Sequence, residues 1–422
     1  MRRVVITGIG VVAPCGIGKL PFWENLEAGR SYIRFDEEMN SMGIKSHVLC
    51  RVSDFDVHQF CDSSEFLDLS EQDRFVQFGV VAGKQALEDA GLADGGFPRE
   101  ETGIIFSSAI GGTPTVARLF EQLSDYGKHA IEYQPVGPIF YNAGMFNFPA
   151  VLLAQRYAMG GPVTSLSTGC TAGLDALGLG FELIATGDAA VMLVGASEAP
   201  LVGLTYATLD IIGALSVADC EPEKASRPFD RKRAGFVISE GAAVLVLEDE
   251  THALQRGATI YAEVVNYASV SNAYHMTDLS PAGDEMVRVI KQALGPVDPA
   301  QIDYINAHGS STPQNDIFET NAFKKVFGTR AYSIPISSTK SMVGHSLSSA
   351  SLIGAIASLG AINRGMIHPT ANYEFPDPAC DLDFVPNVAR QQSVETALVT
   401  ASGFGGIHSA AVFRKYGDFH ER

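Results

Sequence analysis

Ser167-Thr168-Gly169-Cys170-Thr171-Ala172-Gly173 opens a run in which Leu174, Leu177, Phe181 and Ile184 recur at steps of 3, 4 and 3, before the unbroken apolar stretch 190–194. The small residues read as a turn, the recurrence as an amphipathic helix, and the apolar stretch as a strand covered on both faces. Turn, helix and buried strand together are a unit of an α/β protein. Outward from it the alternation continues in both directions, with further strands predicted at 4–9, 103–107, 242–247, 260–267, 302–306 and 397–401. A turn at 281–284 leads into another predicted helix at 286–294.

Two helical patterns end on the same tetrapeptide. Lys84-Gln85-Ala86-Leu87 precedes the strand at 103–107, and Lys291-Gln292-Ala293-Leu294 precedes the strand at 302–306. This echo predicts two similar halves, 1–250 and 257–422, sharing one body because no low-complexity linker separates them.

Acidic groups outnumber basic ones, 48 to 30, for a formal net charge of −18, while hydrophobic residues reach 46% and charged ones 18%. That apolar share excludes a disordered chain, and the acidity excludes a sequence-independent nucleic-acid binder. At 422 residues the chain can bury one large core or two medium ones. The opening Met1-Arg2-Arg3 and its short, glycine-punctuated apolar run read as a first strand rather than a secretory leader. No stretch approaches the ~18 apolar residues of a membrane span. Cys15, Cys50, Cys61, Cys170, Cys220 and Cys380 are scattered, with no CxxC pair and no zinc spacing. A reduced, cytoplasmic enzyme with no metal is the expectation.

Four segments carry candidate chemistry. Cys170 stands where a helix begins, so amides and the helix dipole favour its thiolate; a buried structural cysteine is the plainer alternative. In Asn306-Ala307-His308-Gly309-Ser310-Ser311-Thr312, a histidine ends an apolar strand where α/β proteins place sites, or is a satisfied core histidine. Ser338-Thr339-Lys340-Ser341-Met342-Val343-Gly344-His345-Ser346 sets a lysine five residues before a histidine among small and apolar neighbours. That setting suits perturbed pKa values, against the alternative of a surface lysine and a capping histidine. Ser402-Gly403-Phe404-Gly405-Gly406 is a flexible turn without the spacing of a phosphate-binding loop.

Taken together and in this order, the four segments resemble the motifs of the β-ketoacyl-acyl-carrier-protein synthases of the thiolase superfamily. Arg227-Pro228-Phe229-Asp230, Gly235-Phe236-Val237 and Glu240-Gly241-Ala242 extend the likeness over essentially the whole chain. Segments 167–175, 271–277, 305–309 and 377–383, with Gln314-Asn315-Asp316, are most similar to the ketosynthase-α subunits of type II aromatic polyketide synthases.

The resemblance implies a thiolase fold, two similar halves packed as a five-layered α-β-α-β-α body, and a decarboxylative Claisen condensation. It implies that Cys170 accepts the acyl chain and that the backbone amides of Cys170 and Phe404 form the oxyanion hole. Gly403 and Gly405 would shape the substrate pocket and let Phe404 swing as a gate. His308 and His345 would hold the enolate, with Lys340 beside them opposing their protonation. Ser310 and Thr312 would meet the phosphopantetheine arm of an acyl carrier protein, while Asp316 and Glu319 would fix Lys340 and its loop from behind. No cofactor of the chain's own is implied. A heterodimer with a chain-length-factor (ketosynthase-β) subunit is, and 142–147 with Tyr141, Met145, Phe146 and Phe148 either packs that interface or belongs to the core.

Departures from the family pattern are visible. His345-Ser346-Leu347-Ser348-Ser349-Ala350 lacks the Gly-Ala that often follows the second histidine. Where fatty-acid relatives carry basic residues to greet the carrier, this chain has Glu65, Asp68, Glu71 and Asp73, with only Arg74 positive. Arg231-Lys232-Arg233 is the densest positive cluster, either a docking patch or an ordinary solvated turn. The final glycine loop has no cysteine, which a thiolase needs. A fatty-acid condensing enzyme and a non-catalytic chain-length-factor-like subunit remain as alternatives, the latter expected to lack the nucleophile.

Overall fold

All seven runs read as strands form strands. In the computed structural model, which describes residues 1–422 apart from 63, 64, 67, 68, 219, 220, 281, 282 and 418–422, they join one 11-stranded sheet. Asp68, Cys220 and the start of the expected turn at 281 lie outside the described residues. In chain order the main strands are β1 (Val4–Ala13), β2 (Thr102–Ser107), β3 (Val163–Leu166), β4 (Val191–Glu198), β5 (Gly241–Asp249), β6 (Ala262–Ser271), β7 (Tyr304–Asn306), β8 (Ile336–Ser337), β9 (Thr396–Gly403) and β10 (Ile407–Arg414).

The sheet follows one plan twice. Its order is β8-β7-β9-β10-β6 and then β1-β5-β4-β2-β3, with the short Gly16–Ile17 strand off β1. In the first part β2 runs parallel to β3 and β4, and β5 runs antiparallel to β4 and β1. In the second, β7 runs parallel to β8 and β9, and β10 runs antiparallel to β9 and β6. Among the described residues, the strand pairing between the two parts is the short antiparallel contact of Val4, Val5 and Ile6 with Val264, Glu263 and Ala262.

Alternation along each strand builds the layers. On β4, Met192 and Val194 enter a central core, whereas Val191 and Leu193 face an outer one with Phe75, Phe78 and Val80 of α1 (Arg74–Ala90). On β9, Ala397, Val399 and Ala401 face the central core and Leu398 the opposite outer one, with Val289 and Ile290 of α4 (Asp284–Leu294). The central core is filled by α2 (Ala172–Thr186) and α6 (Ser348–Arg364), which pack on each other and on both parts of the sheet. Helix α3 (Gly203–Ile211) lies on the surface, and α5 (Pro313–Phe327) joins α4 outside the second part. Five layers result, α-β-α-β-α. The repeated tetrapeptides occupy matching places on α1 and α4, although α1 continues past Leu87 to Ala90.

Candidate active site

Helices α2 and α6 deliver their first turns to one place. Cys170 sits in the tight turn Gly169–Thr171 that leads into α2, and His345 stands just before α6. Gly169 takes φ +66°, a conformation that a side chain would strain. His308 follows β7, and Phe404 follows β9. All four line one cavity of about 300 Å3, together with Ser310, Thr312 and Gly403.

The imidazoles of His308 and His345 lie 5.3 Å apart between centroids, their planes at 76°. Burial, and then the Lys340 charge, push both well below the usual histidine range, so both rings are neutral at pH 7. The Leu347 N–H donates to Nδ1 of His345 at 3.1 Å, which assigns the proton of that ring to Nε2. Lys340 is buried, donates to the His308 carbonyl at 2.7 Å, and is lowered by desolvation to about 8.

The helix start was expected to favour the Cys170 thiolate. In the resting protein the balance is reversed: burial pushes the thiol up to about 11, outweighing the Lys340 charge and a hydrogen bond from the Phe404 N–H. The same bond shows that the Phe404 amide points at the cysteine sulfur, where an oxyanion hole would need it. Phe404 is itself 38% exposed, and Gly405 (φ +89°) lets the turn reverse beside it.

Glu319 and Asp316 are fully buried on α5. Glu319 accepts from the N–H groups of His308 (2.9 Å) and Gly309 (2.7 Å), the Thr400 hydroxyl (2.8 Å) and the Asn315 amide (2.9 Å). Asp316 accepts from the Phe229 N–H at 2.7 Å and is pushed up to about 7 by burial. Glu319 thus holds the His308 loop from behind, whereas Lys340 is tied to the His308 carbonyl, and the two carboxylates act on it through their charge alone. The Ser310 and Thr312 hydroxyls bond each other at 2.8 Å, and Thr312 also caps α5.

Two further segments, each open to two readings in the sequence, take the following places. Arg231-Lys232-Arg233 is not one cationic face: the Arg233 side chain is 5% exposed and bound to Asp377 at 2.6 Å, and Lys232 lies 3.6 Å over the Phe375 ring. Around 142–147, Tyr141 and Phe146 are exposed, Met145 is half-buried, and Phe148 packs against the outer core.

Sequence reasoning gave Asp175 no role. Its carboxylate accepts hydroxyls from Thr168 and Thr171 on either side of Cys170, and from Tyr267 (2.5 Å) on β6 and Ser409 on β10. It ties the cysteine turn to the opposite part of the sheet. Its only sequence signal was an acid in the first turn of a helix.

A sheet built twice around two central helices, with a cysteine and two neutral imidazoles at their starts, defines the thiolase class of fold. The chain belongs to the β-ketoacyl synthase family: the model of the N-terminal domain matches residues 1–253 and that of the C-terminal domain residues 261–374. It is 44% identical over 421 residues to the tetracenomycin polyketide synthase ketoacyl synthase alpha subunit of Streptomyces glaucescens, covering 98% of this chain and 97% of that one. It is 38% identical to 3-oxoacyl-[acyl-carrier-protein] synthase 2 of Coxiella burnetii over 99% of each chain. A solved ketosynthase, bound to the hexaketide and in complex with its type II polyketide synthase acyl-carrier protein, superposes with a TM-score of 0.92 at 41% identity, covering 98% of this chain and 100% of that one.

Proposed function

We propose that the chain is the catalytic ketosynthase of a type II polyketide synthase, condensing malonyl-acyl carrier protein with an enzyme-bound acyl chain. The observation that carries this reading is the meeting of Cys170, the Phe404 amide and two neutral histidines on one buried cavity. Relatives named as polyketide β-ketoacyl synthases, at 44% identity, support the substrate class.

Cys170 attacks the acyl thioester, the carrier thiol leaves with the proton, and the tetrahedral oxyanion rests on the Cys170 and Phe404 amides. The malonyl thioester then loses carbon dioxide. The electron pair left at its α-carbon delocalises onto the thioester oxygen, which takes hydrogen bonds from His308 and His345. Being neutral, each ring offers one N–H and keeps it, which suits a donor that must not protonate the enolate. The α-carbon attacks the acyl carbonyl, the bond from that carbon to the Cys170 sulfur breaks, and Cys170 departs as a thiolate that takes a proton from solvent to return to the resting thiol. Lys340 keeps the imidazoles neutral, and Glu319 holds the His308 loop. In this reading the half 1–250 brings the nucleophile and the half 257–422 both histidines.

Ser310 and Thr312 meet the phosphopantetheine arm, and Gly403 and Gly405 give Phe404 room to gate. A chain-length-factor partner is supported by the likeness to a ketosynthase/chain length factor structure, with TM-score 0.88 and 32% identity. Tyr141 and Phe146, exposed on the surface, suit that contact. Incubation with acyl- and malonyl-carrier protein, followed by mass spectrometry of the carrier, tests the reading: a β-ketoacyl product supports it, and unchanged thioesters refute it.

A further inference from the structure

Two residues back from His308 lies a buried polar group with no part in the mechanism above. Its centre is His368, 3% exposed, which follows the short strand Met366–Ile367 and is not among the residues lining the cavity. Its Nδ1 lies 3.0 Å from the Pro369 carbonyl oxygen, which can only accept, so Nδ1 carries the proton and Nε2 is an acceptor. Around Nε2 stand the Tyr304 hydroxyl (3.2 Å), the Asn306 amide (3.2 Å) and the Ser337 hydroxyl (3.3 Å). These three also bond one another, Asn306 to Tyr304 at 3.1 Å and Tyr304 to Ser337 at 2.7 Å. Burial lowers His368 to about 4 and raises Tyr304 to about 12, so the whole group is uncharged at pH 7.

The partners of that one nitrogen come from two strands. Tyr304 and Asn306 belong to β7, which ends two residues before His308, and Ser337 ends β8, three residues before Lys340. Asn306 and Ser337 are direct partners across the parallel pair. The chain beyond His368 continues the support: Thr370 accepts from the Ser338 N–H at 3.2 Å, and the Ala371 N–H donates to the Ser341 hydroxyl at 2.9 Å. On its other side Asn306 meets α6 so closely that a Cβ on Gly354 would stand 2.6 Å from its Oδ1. Between the two loops held in this way runs the 2.7 Å bond from Lys340 to the His308 carbonyl.

We propose that His368 is a positioning residue for the condensation: by joining β7 to β8 through Nε2, it sets the spacing of the His308 and Lys340 loops. The inference rests on the condensing reading above. An apolar side chain could fill the same space, but it would leave the buried Asn306 amide with the Tyr304 hydroxyl alone. The effect should fall on one half of the chemistry. Cys170 sits in the turn ahead of α2 and shares none of these contacts, whereas His308 and Lys340 both follow directly from them.

The test uses His368→Leu, which removes the acceptor, His368→Gln, whose carboxamide oxygen restores one, and Ser337→Ala, which unties β8 alone. Each is assayed in the complete enzyme for acyl-enzyme formation and for carbon dioxide release from malonyl-carrier protein across pH. His368→Leu should lower kcat for decarboxylation about tenfold or more, equivalent to about 1.4 kcal/mol, with the carrier KM and Cys170 acylation near wild type. His368→Gln should recover most of that loss, and Ser337→Ala should show a smaller one. The alkaline limb is the readout that a merely structural role leaves in place. Desolvation holds Lys340 at about 8 against the charges of Glu319, Cys170 and Asp316, so a loosened loop that admits water moves the limb of His368→Leu up toward 10.5. Equal loss of acylation and decarboxylation overturns the proposal, as does a His368→Gln no better than His368→Leu. Should His368→Leu fail to fold, Ser337→Ala decides: wild-type kcat with the limb still at about 8 overturns the proposal. Wild-type enzyme that releases no carbon dioxide removes the condensing reading, and this inference with it.

Discussion

Replacing Glu319 by Gln leaves one buried donor without an acceptor. The carboxylate serves the His308 N–H and the Thr400 hydroxyl on Oε1, and the Gly309 N–H and the Asn315 amide on Oε2. A carboxamide keeps one oxygen, best placed at Oε1. Asn315, whose Oδ1 has no partner among the described residues, can flip its amide to receive the new N–H groups. The Gly309 N–H cannot adapt, being backbone held at φ +44°, where a Cβ would stand 2.6 Å from that of Ser338. One buried N–H left unpaired costs about 1–3 kcal/mol. Unfolding in denaturant should register that loss. If it is expressed as displacement of His308, decarboxylation of malonyl-carrier protein slows by about 5- to 150-fold. Acylation of Cys170, which sits in the turn ahead of α2 and not on the His308 loop, should stay near wild type by mass spectrometry of the acyl-enzyme. Wild-type unfolding and wild-type decarboxylation in Glu319→Gln would refute the reasoning.

Three further outcomes are expected. The pH–rate profile for malonyl decarboxylation should show no acidic limb near 6.5, because both histidines are held well below it, and should fall as pH rises through about 8, where Lys340 loses its proton and with it the positive charge that favours the developing enolate. The folded chain keeps the Asp316 proton to about pH 7, whereas an ordinary aspartate releases it near 3.8, so wild-type stability falls as pH rises across that window; Asp316→Asn should lose less in denaturant titrations over the same range. Asp175→Asn should slow acylation of Cys170 by about tenfold while sparing decarboxylation, since it frees the hydroxyls flanking the cysteine and leaves the histidine loops untouched; equal loss of both steps would mark Asp175 as structural only.

Much of this architecture was legible because buried strands read as apolar runs whatever their partners. Strand β10 was not, since His408 and Ser409 interrupt its apolar character just after a glycine turn, and β8 is two residues long. The catalytic candidates were legible because a cysteine, two histidines and a lysine are chemically distinctive in small-residue surroundings. Asp175 was not, because Tyr267 and Ser409 lie 92 and 234 positions away and only the folded sheet brings them to it. The cavity mouth was equally hidden: Ile212, Gly235 and Thr277 have no shared chemistry, and their meeting depends on three separate loops. Arg233 misled for the opposite reason. Its charge suggested a surface, yet Asp377 neutralises it inside the fold.

The account's central claim is a division of labour, with Cys170 holding the acyl chain and His308 with His345 holding the enolate. Its most direct test compares Cys170→Ala with His308→Ala and His345→Ala, measuring acyl-enzyme formation and carbon dioxide release from malonyl-carrier protein on the same preparations. Cys170→Ala should form no acyl-enzyme while retaining some decarboxylation, and each histidine variant should lose decarboxylation more than acylation. Equal acylation of wild type and Cys170→Ala would contradict it.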